Sequence, residues 1–149
     1  MTDSASFHIP AEIAELVTGA YDAGSALLVA AVDAEGRPLL SVRGSVAVFS
    51  DTQLSFWARN AEGGTIAAIG ANPNVALVYR GKTSPVLQFI GRARVAAPGA
   101  ETDHAFSAAH PKEQAADPEK KGVAVIVDLD AIRGVLIGEG GRAFVNLTR

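Results

Sequence analysis

The chain has 149 residues, 48% hydrophobic and 19% charged, with a formal net charge of -3. That length suffices for one domain with a proper core, and the charge balance supplies no clustered cations to neutralise nucleic-acid phosphates. Cysteine is absent, which excludes disulfides, thiolate catalysis and cysteine-ligated metal and suits a reducing cytoplasm.

The stretch Met1 to Pro10 carries Asp3 and His8 and no apolar h-region, so no signal peptide is expected. No apolar run approaches the ~20 residues of a membrane helix. The expectation is a soluble cytoplasmic protein. Pro10 suits the start of a helix, and Ile9, Ile13, Leu16 and Ala20 recur at helical spacing, with Gly24-Ser25 as the expected end. Strand texture follows. Ala26 to Val32 is an apolar run, Asp33 to Gly36 a hairpin turn, and Leu39 to Phe49 one strand with Val42, Val46 and Val48 alternating. After a turn at Asp51-Thr52, Leu54 to Ala58 forms another strand.

A short helix is expected from Gly64 to Ala71, stopped by Asn72-Pro73. Val75 to Arg80 and Val86 to Ala96 read as strands around a turn at Gly81 to Ser84, and Pro98 to Ala109 as a helix with Phe106 inward. Pro111 to Lys121 reads as a polar, mobile loop. Val123 to Leu129, Gly134 to Ile137 and Ala143 to Leu147 close the sheet. Six to eight short strands at roughly 8–12-residue spacing predict an antiparallel barrel in a single domain spanning the chain.

Several motifs imitate chemistry. Gly81-Lys82-Thr83 copies the end of a phosphate-binding loop, but the required first glycine falls at Ala76 and Leu77 to Arg80 reads as strand. Gly138-Glu139-Gly140-Gly141-Arg142-Ala143 has the dinucleotide form without the helix and strand that must follow, and predicts a glycine-rich hairpin. His104 and His110 fall on different faces of any helix and make no metal pair. Arg92 and Arg94, like Arg80 and Lys82, alternate on one strand face, where a solvated rim is the simplest reading.

The informative stretch runs from Gly36 to Arg94. It holds Gly36-Arg37-Pro38-Leu39-Leu40-Ser41-Val42-Arg43, then Leu54-Ser55-Phe56-Trp57-Ala58-Arg59, then Gly70-Ala71-Asn72-Pro73 with Val75-Ala76-Leu77-Val78, and last Gln88-Phe89-Ile90-Gly91-Arg92-Ala93. In this order the segments resemble the FMN-binding split barrel family of pyridoxamine 5′-phosphate oxidases and the related flavin and deazaflavin reductases. The resemblance implies a mainly β split barrel, a homodimer, and FMN or a deazaflavin as cofactor. It puts Arg43 at the phosphate; Trp57, Ala58 and Arg59 along the ring and ribityl chain; Gly63, Gly64 and Thr65 at the helix start that holds the phosphate; and Ser41 and Gln88 at the ring. The family more often has Lys or Arg at Thr65 and Asn or Gln at Ala68, and Glu62 adds a negative charge nearby. The tail from Gly134 to Arg149 lacks the Trp and Arg pair of the true oxidases.

Independently of any resemblance, a helix N-terminus presents unpaired N–H groups and the positive end of a dipole. Gly63 and Gly64 permit close approach there, and Thr65 can cap or donate. Two functions are therefore expected in contest. One is a small FMN-dependent oxidoreductase acting on a small-molecule substrate. The other is a binding or sequestering protein on the same barrel that has lost its flavin.

Overall fold

The structure, a computed structural model, describes residues 6–83 and 85–149. Its first helix, α1 (Ala11–Thr18), buries Ile13 and Val17, and Ile9 and Ala20 extend the same apolar stripe beyond its ends. The helix stops at Gly19, earlier than Gly24-Ser25, and the chain reaches β1 (Leu27–Val32) through turns. β1 alternates buried and half-buried residues and pairs with β2 (Pro38–Arg43), from Leu27 opposite Arg43 to Val32 opposite Pro38. Their hairpin is tied by the Asp33 carboxylate, which accepts from the amides of Glu35 at 3.0 Å and Arg37 at 2.8 Å, while Gly36 supplies the required positive φ of 80°.

The expected strand from Leu39 to Phe49 is in fact two. The chain turns at Gly44-Ser45 before β3 (Ala47–Ser50), because Ser45 is used to bracket the next strand, β4 (Gln53–Ala58). The Ser45 hydroxyl accepts from the Trp57 amide at 2.9 Å and donates to the Trp57 carbonyl at 3.0 Å, doing for Trp57 what a ladder partner would do. The helix α2 (Gly64–Ala71) and the strands β5 (Asn74–Arg80) and β6 (Val86–Val95) lie where their sequence predicts, as does α3 (Ala100–Ala108) with Phe106 buried.

Two expectations fail beyond this point. Pro111 to Lys121 is not loop throughout: it contains α4 (Pro111–Ala115) and a turn built on the buried Asp117. And Val123 to Leu129 and Gly134 to Ile137 are one strand, β7 (Val123–Gly138), 16 residues long. The polar residues between the two apolar runs do not end it, because a bulge absorbs them. Pairing with β6 passes from Ile90 opposite Ala131 to Gly91 opposite Leu129, leaving Asp130 unpaired. The last strand, β8 (Gly141–Thr148), returns along β7 through the glycine-rich hairpin.

The strands form one antiparallel sheet of eight, in the order β2-β1-β5-β6-β7-β4-β3, with β8 also on β7. The two ends of this path, β2 and β3, are consecutive in the chain and joined only by Gly44 to Val46. The sheet must curl until its ends meet, yet no ladder joins them among the described residues: a split barrel. Inside it lie Leu54, Phe56, Leu77, Leu87 and Phe89, all fully buried, each contributing about 1.5–3 kcal/mol by its removal from water. A smaller second core sits under α3, where Trp57, Ala96, Ala105, Phe106, Ala124 and Ile126 meet. β4 is thus covered on both faces, which explains its unbroken burial from Leu54 to Ala58.

The bulge depends on Gly91, where a Cβ would run into the backbone carbonyl of Asp128. Gly91→Ala should therefore lower stability by about 1–3 kcal/mol, read as a lower denaturant midpoint at unchanged slope. Gly138→Ala, with open space around it, should stay within about 0.5 kcal/mol of wild type.

Candidate functional site

The strand alternation of β2 turns Leu40 and Val42 outward and Ser41 and Arg43 inward. Arg43, the last residue of the strand, lies half-buried beneath the start of α2. Its Nη2 donates to Thr65 Oγ1 at 2.9 Å and its Nε to Ser41 Oγ at 3.1 Å, with the guanidinium 5.5 Å from the centre of the Phe56 ring. Thr65 belongs to the first turn of α2, whose N-cap Gly63 provides no side-chain cap. The opening amides of the helix thus have no side-chain partner beside a cation. Arg59, just past the end of β4, enters the same hollow. That hollow holds about 360 Å³ and is lined by Arg43, Gly44, Ser45, Arg59, Asn60 and Glu113, with Val42 and Trp57 at its border.

Burial first, and the neighbouring Arg59 charge second, push the Arg43 guanidinium below its ordinary pKa, against a smaller opposing pull from Glu113. Guanidinium nevertheless keeps its proton at any physiological pH. The contrast with other arginines is informative. Arg37, Arg92 and Arg94 are matched to Asp33, Asp130 and Glu101 in exposed ion pairs, so the Arg92–Arg94 rim is self-neutralised. Arg43 and Arg59 have no carboxylate within ion-pair distance among the described residues. A half-buried, uncompensated cation next to a second one is unfavourable in isolation and is stabilised by an anion.

Of the nine residues singled out in the sequence, Ser41, Arg43 and Thr65 are joined by hydrogen bonds. Arg59 shares the hollow with Arg43, and Gly63 and Gly64 form the start of α2, to which Thr65 belongs. Of the other three, Trp57 borders the hollow, while Ala58 and Gln88 do not. Trp57 is 4% exposed, with its indole turned into the second core against Phe106 at 4.9 Å and its N–H donating to Asp117 Oδ2 at 2.8 Å. The Ala58 side chain is buried in the main core. Gln88 stands in a cross-strand row with Val78, Leu28 and Val42, and so on the outer face of the sheet, opposite to Arg43. Ser45, Asn60 and Glu113 went unrecognised. Asn60 had a local signal, a turn-forming Asn ahead of a helix, and it accepts from the Glu62 and Gly63 amides. Glu113 had none, since only the path of α4 brings it here.

Asp117 fastens this neighbourhood. Besides the Trp57 indole, it accepts from the amides of Lys121 at 3.0 Å and Gly122 at 2.8 Å. Burial pushes its carboxyl pKa up, but the bonds from Trp57, Gly122 and Lys121, with the Lys121 charge, outweigh burial and hold it below the usual value. The histidines are occupied elsewhere. His104 Nε2 lies 3.1 Å from the Phe49 carbonyl, and His110 stacks on Tyr21 at 3.9 Å with Nε2 2.8 Å from Asp22. No cluster of potential metal ligands exists among the described residues, and no helix among them is long and apolar enough to cross a membrane.

No family model and no curated protein matches the sequence. Solved structures do resemble the fold. HupZ of Group A Streptococcus is 22% identical, with 91% of this chain and 98% of that one covered and a TM-score of 0.67. A pyridoxamine 5′-phosphate oxidase-related, FMN binding protein of Nostoc punctiforme is 13% identical, with 88% and 84% covered and a TM-score of 0.64. General stress protein 26 of Bacillus anthracis is 15% identical, with 91% and 99% covered and a TM-score of 0.62.

Because the folded-state pKa of Asp117 is depressed, its contribution to stability is complete above the unfolded carboxyl value of about 3.9 and is lost as pH falls through the lower folded value. Asp117→Ala should leave the Trp57 N–H without a partner and cost about 1–3 kcal/mol at neutral pH. Thermal melts of the two proteins should converge as the solution is acidified below about pH 4.

Proposed function

We propose, from a fold that is the split barrel of pyridoxamine 5′-phosphate oxidase-like, FMN-binding proteins, that this chain binds FMN and is a small flavin-dependent oxidoreductase of the cytoplasm. The observation that carries this reading is Arg43, a half-buried guanidinium without a carboxylate, bonded to the threonine at an uncapped helix start with Arg59 alongside. The donor set fits a phosphate monoester. Two guanidiniums, the first amides of α2 and the Thr65 hydroxyl offer charge and hydrogen bonds to a dianion.

In this reading Arg43 and Arg59 neutralise the phosphate. Thr65 Oγ1 accepts from Arg43, which leaves its own proton to donate. Gly63 and Gly64 let the backbone close on the ligand, and Ser41 holds Arg43 in its rotamer. The isoalloxazine, when bound, supplies the electron or hydride transfer to a small-molecule substrate, so no side chain is required as acid or base. A deazaflavin carrying the same phosphate end would use the same contacts. The ring would extend past the hollow towards the outer sheet face. That face exposes Leu40 at 70% and Val42 at 66%, with Leu28, Val78 and Ile90 half-buried beside them. Apolar surface of this kind favours a second copy of the chain, and a homodimer would add the partner's Gln88 face to the site.

A second reading, a ligand-binding or sequestering protein without flavin, draws on a specific observation. The Trp57 and Ala58 side chains are committed to the cores, and Gln88 lies on the opposite face from Arg43. The visible absorbance of the purified protein separates the two: a flavin spectrum supports the first, and a colourless protein that does not take up added FMN supports the second.

Arg43→Ala should weaken FMN binding by on the order of 1.5–3 kcal/mol, roughly 10- to 150-fold, with riboflavin unaffected. The apo melting temperature should change little, because the variant loses two hydrogen bonds but also an uncompensated charge. An unfolded apo protein or unchanged FMN affinity, by titration calorimetry, would refute the assignment. Light scattering should give twice the chain mass for wild type, and Val42→Asp should shift it to the monomer.

A further inference from the structure

The geometry points to Glu113 as the residue that sets how much negative charge the Arg43–Arg59 hollow accepts, holding its affinity for a phosphate dianion well below what the two arginines would otherwise provide. This rests on the anion-site reading above and extends it to a residue that contributes no favourable contact to a phosphate. Glu113 lines the hollow with both arginines. Yet its carboxylate makes no ion pair or side-chain hydrogen bond among the described residues, unlike Asp33, Glu35, Glu101 and Asp130, which meet arginines at 2.6–3.1 Å. The hollow therefore presents two cations and a carboxylate that pairs with neither.

The fold holds Glu113 there. The helix α4 is fastened on every side: the His110 ring accepts from the Lys112 amide at 3.1 Å and stacks on Tyr21, Gln114 donates to the carbonyls of Ser107 and Ala109, and Asp117 is tied to Trp57. The carboxylate itself rests against the Cα of Gly44, where any side chain at 44 would displace it. Gly44 directly follows Arg43, so the packing that admits Glu113 also sets its separation from the guanidinium. A carboxylate at this range opposes an arriving dianion twice as strongly as a monoanion and leaves a neutral ligand unaffected. Part of the effect is screened by salt, because the hollow is open to solvent.

The test uses wild type, Glu113→Gln, Arg43→Ala and Glu139→Gln, the last a charge control in the β7–β8 turn. FMN and riboflavin are titrated by calorimetry, and inorganic phosphate is titrated against the apo protein by thermal shift. Glu113→Gln should tighten FMN by about 3- to 10-fold at low ionic strength, as expected for one carboxylate removed across a partly solvated gap. It should also increase the stabilisation by phosphate, lose most of this gain in high salt, and leave riboflavin unchanged, while Glu139→Gln matches wild type. If Arg43→Ala weakens both FMN and phosphate but Glu113→Gln tightens neither, the anion site stands and the role of Glu113 is overturned. Weaker FMN binding in Glu113→Gln would overturn it too, by showing that the carboxylate accepts a bond from the ligand. If Arg43→Ala changes neither ligand, the anion site and the role of Glu113 fall together. A phosphate response to Glu113→Gln without FMN binding would uphold Glu113 and reject only the flavin.

Discussion

The join from Gly44 to Val46 constrains everything else in this structure. It links the two ends of the seven-stranded path, so β2 and β3 must approach while the five strands between them curl round a shared core. Closing the ends with a full ladder would require backbone partners that the turning chain cannot supply. Ser45 instead gives its hydroxyl to both backbone groups of Trp57. A seam is left where the sheet is held by side chains, with a hollow beside it. Arg43 is the residue immediately before that seam, which is why a cation can be half-buried in the barrel wall and still face a hollow open to solvent.

Charge is distributed with the same economy. The outer ion pairs of Arg37, Arg92 and Arg94 are exposed and contribute little, about 0–1 kcal/mol each; their consequence is that those arginines are neutralised and available to nothing else. At the seam no such match is made among the described residues. Two guanidiniums and one carboxylate border the hollow without pairing, and hydrogen bonds to Ser41 and Thr65 replace the counter-ion that Arg43 lacks. A half-buried cation without a counter-ion lowers folded-state stability unless an anion arrives.

The second core connects the seam to the α3–α4 excursion. Trp57 serves it with the backbone that Ser45 brackets and with an indole that Asp117 holds, so one residue couples the barrel wall to the segment carrying Glu113. The Ser55 hydroxyl, fully buried between β3 and β7, has no partner in this region, and its neighbours offer no account of it. The rest of the excursion is polar in sequence and ordered in space because a single buried carboxylate gathers the indole and two amides around itself.

Local chemistry made much of this protein legible in advance. Asn72-Pro73 ends α2 by removing an amide and barring helix before it, Asp33 to Gly36 carries its own turn geometry, and the apolar runs of β1, β5 and β6 mark strands. Gly63, Gly64 and Thr65 were likewise visible as a helix start, whereas Arg43, in the middle of an expected strand, was marked only by the family resemblance. Features set by partners distant in the chain were not. The break at Gly44-Ser45 depends on Trp57, the continuity of β7 depends on a bulge opposite Gly91, and the order at Pro111 to Lys121 depends on an indole far back in the chain. The face that Gln88 occupies, the burial of Trp57 and the arrival of Glu113 beside the arginines were decided by the curl of the sheet. Sequence by itself determined which residues turn, alternate and carry charge, since those follow from each residue and its immediate neighbours. Which charges meet was left to the tertiary structure, because the distance between two side chains is set by the whole path of the backbone that lies between them.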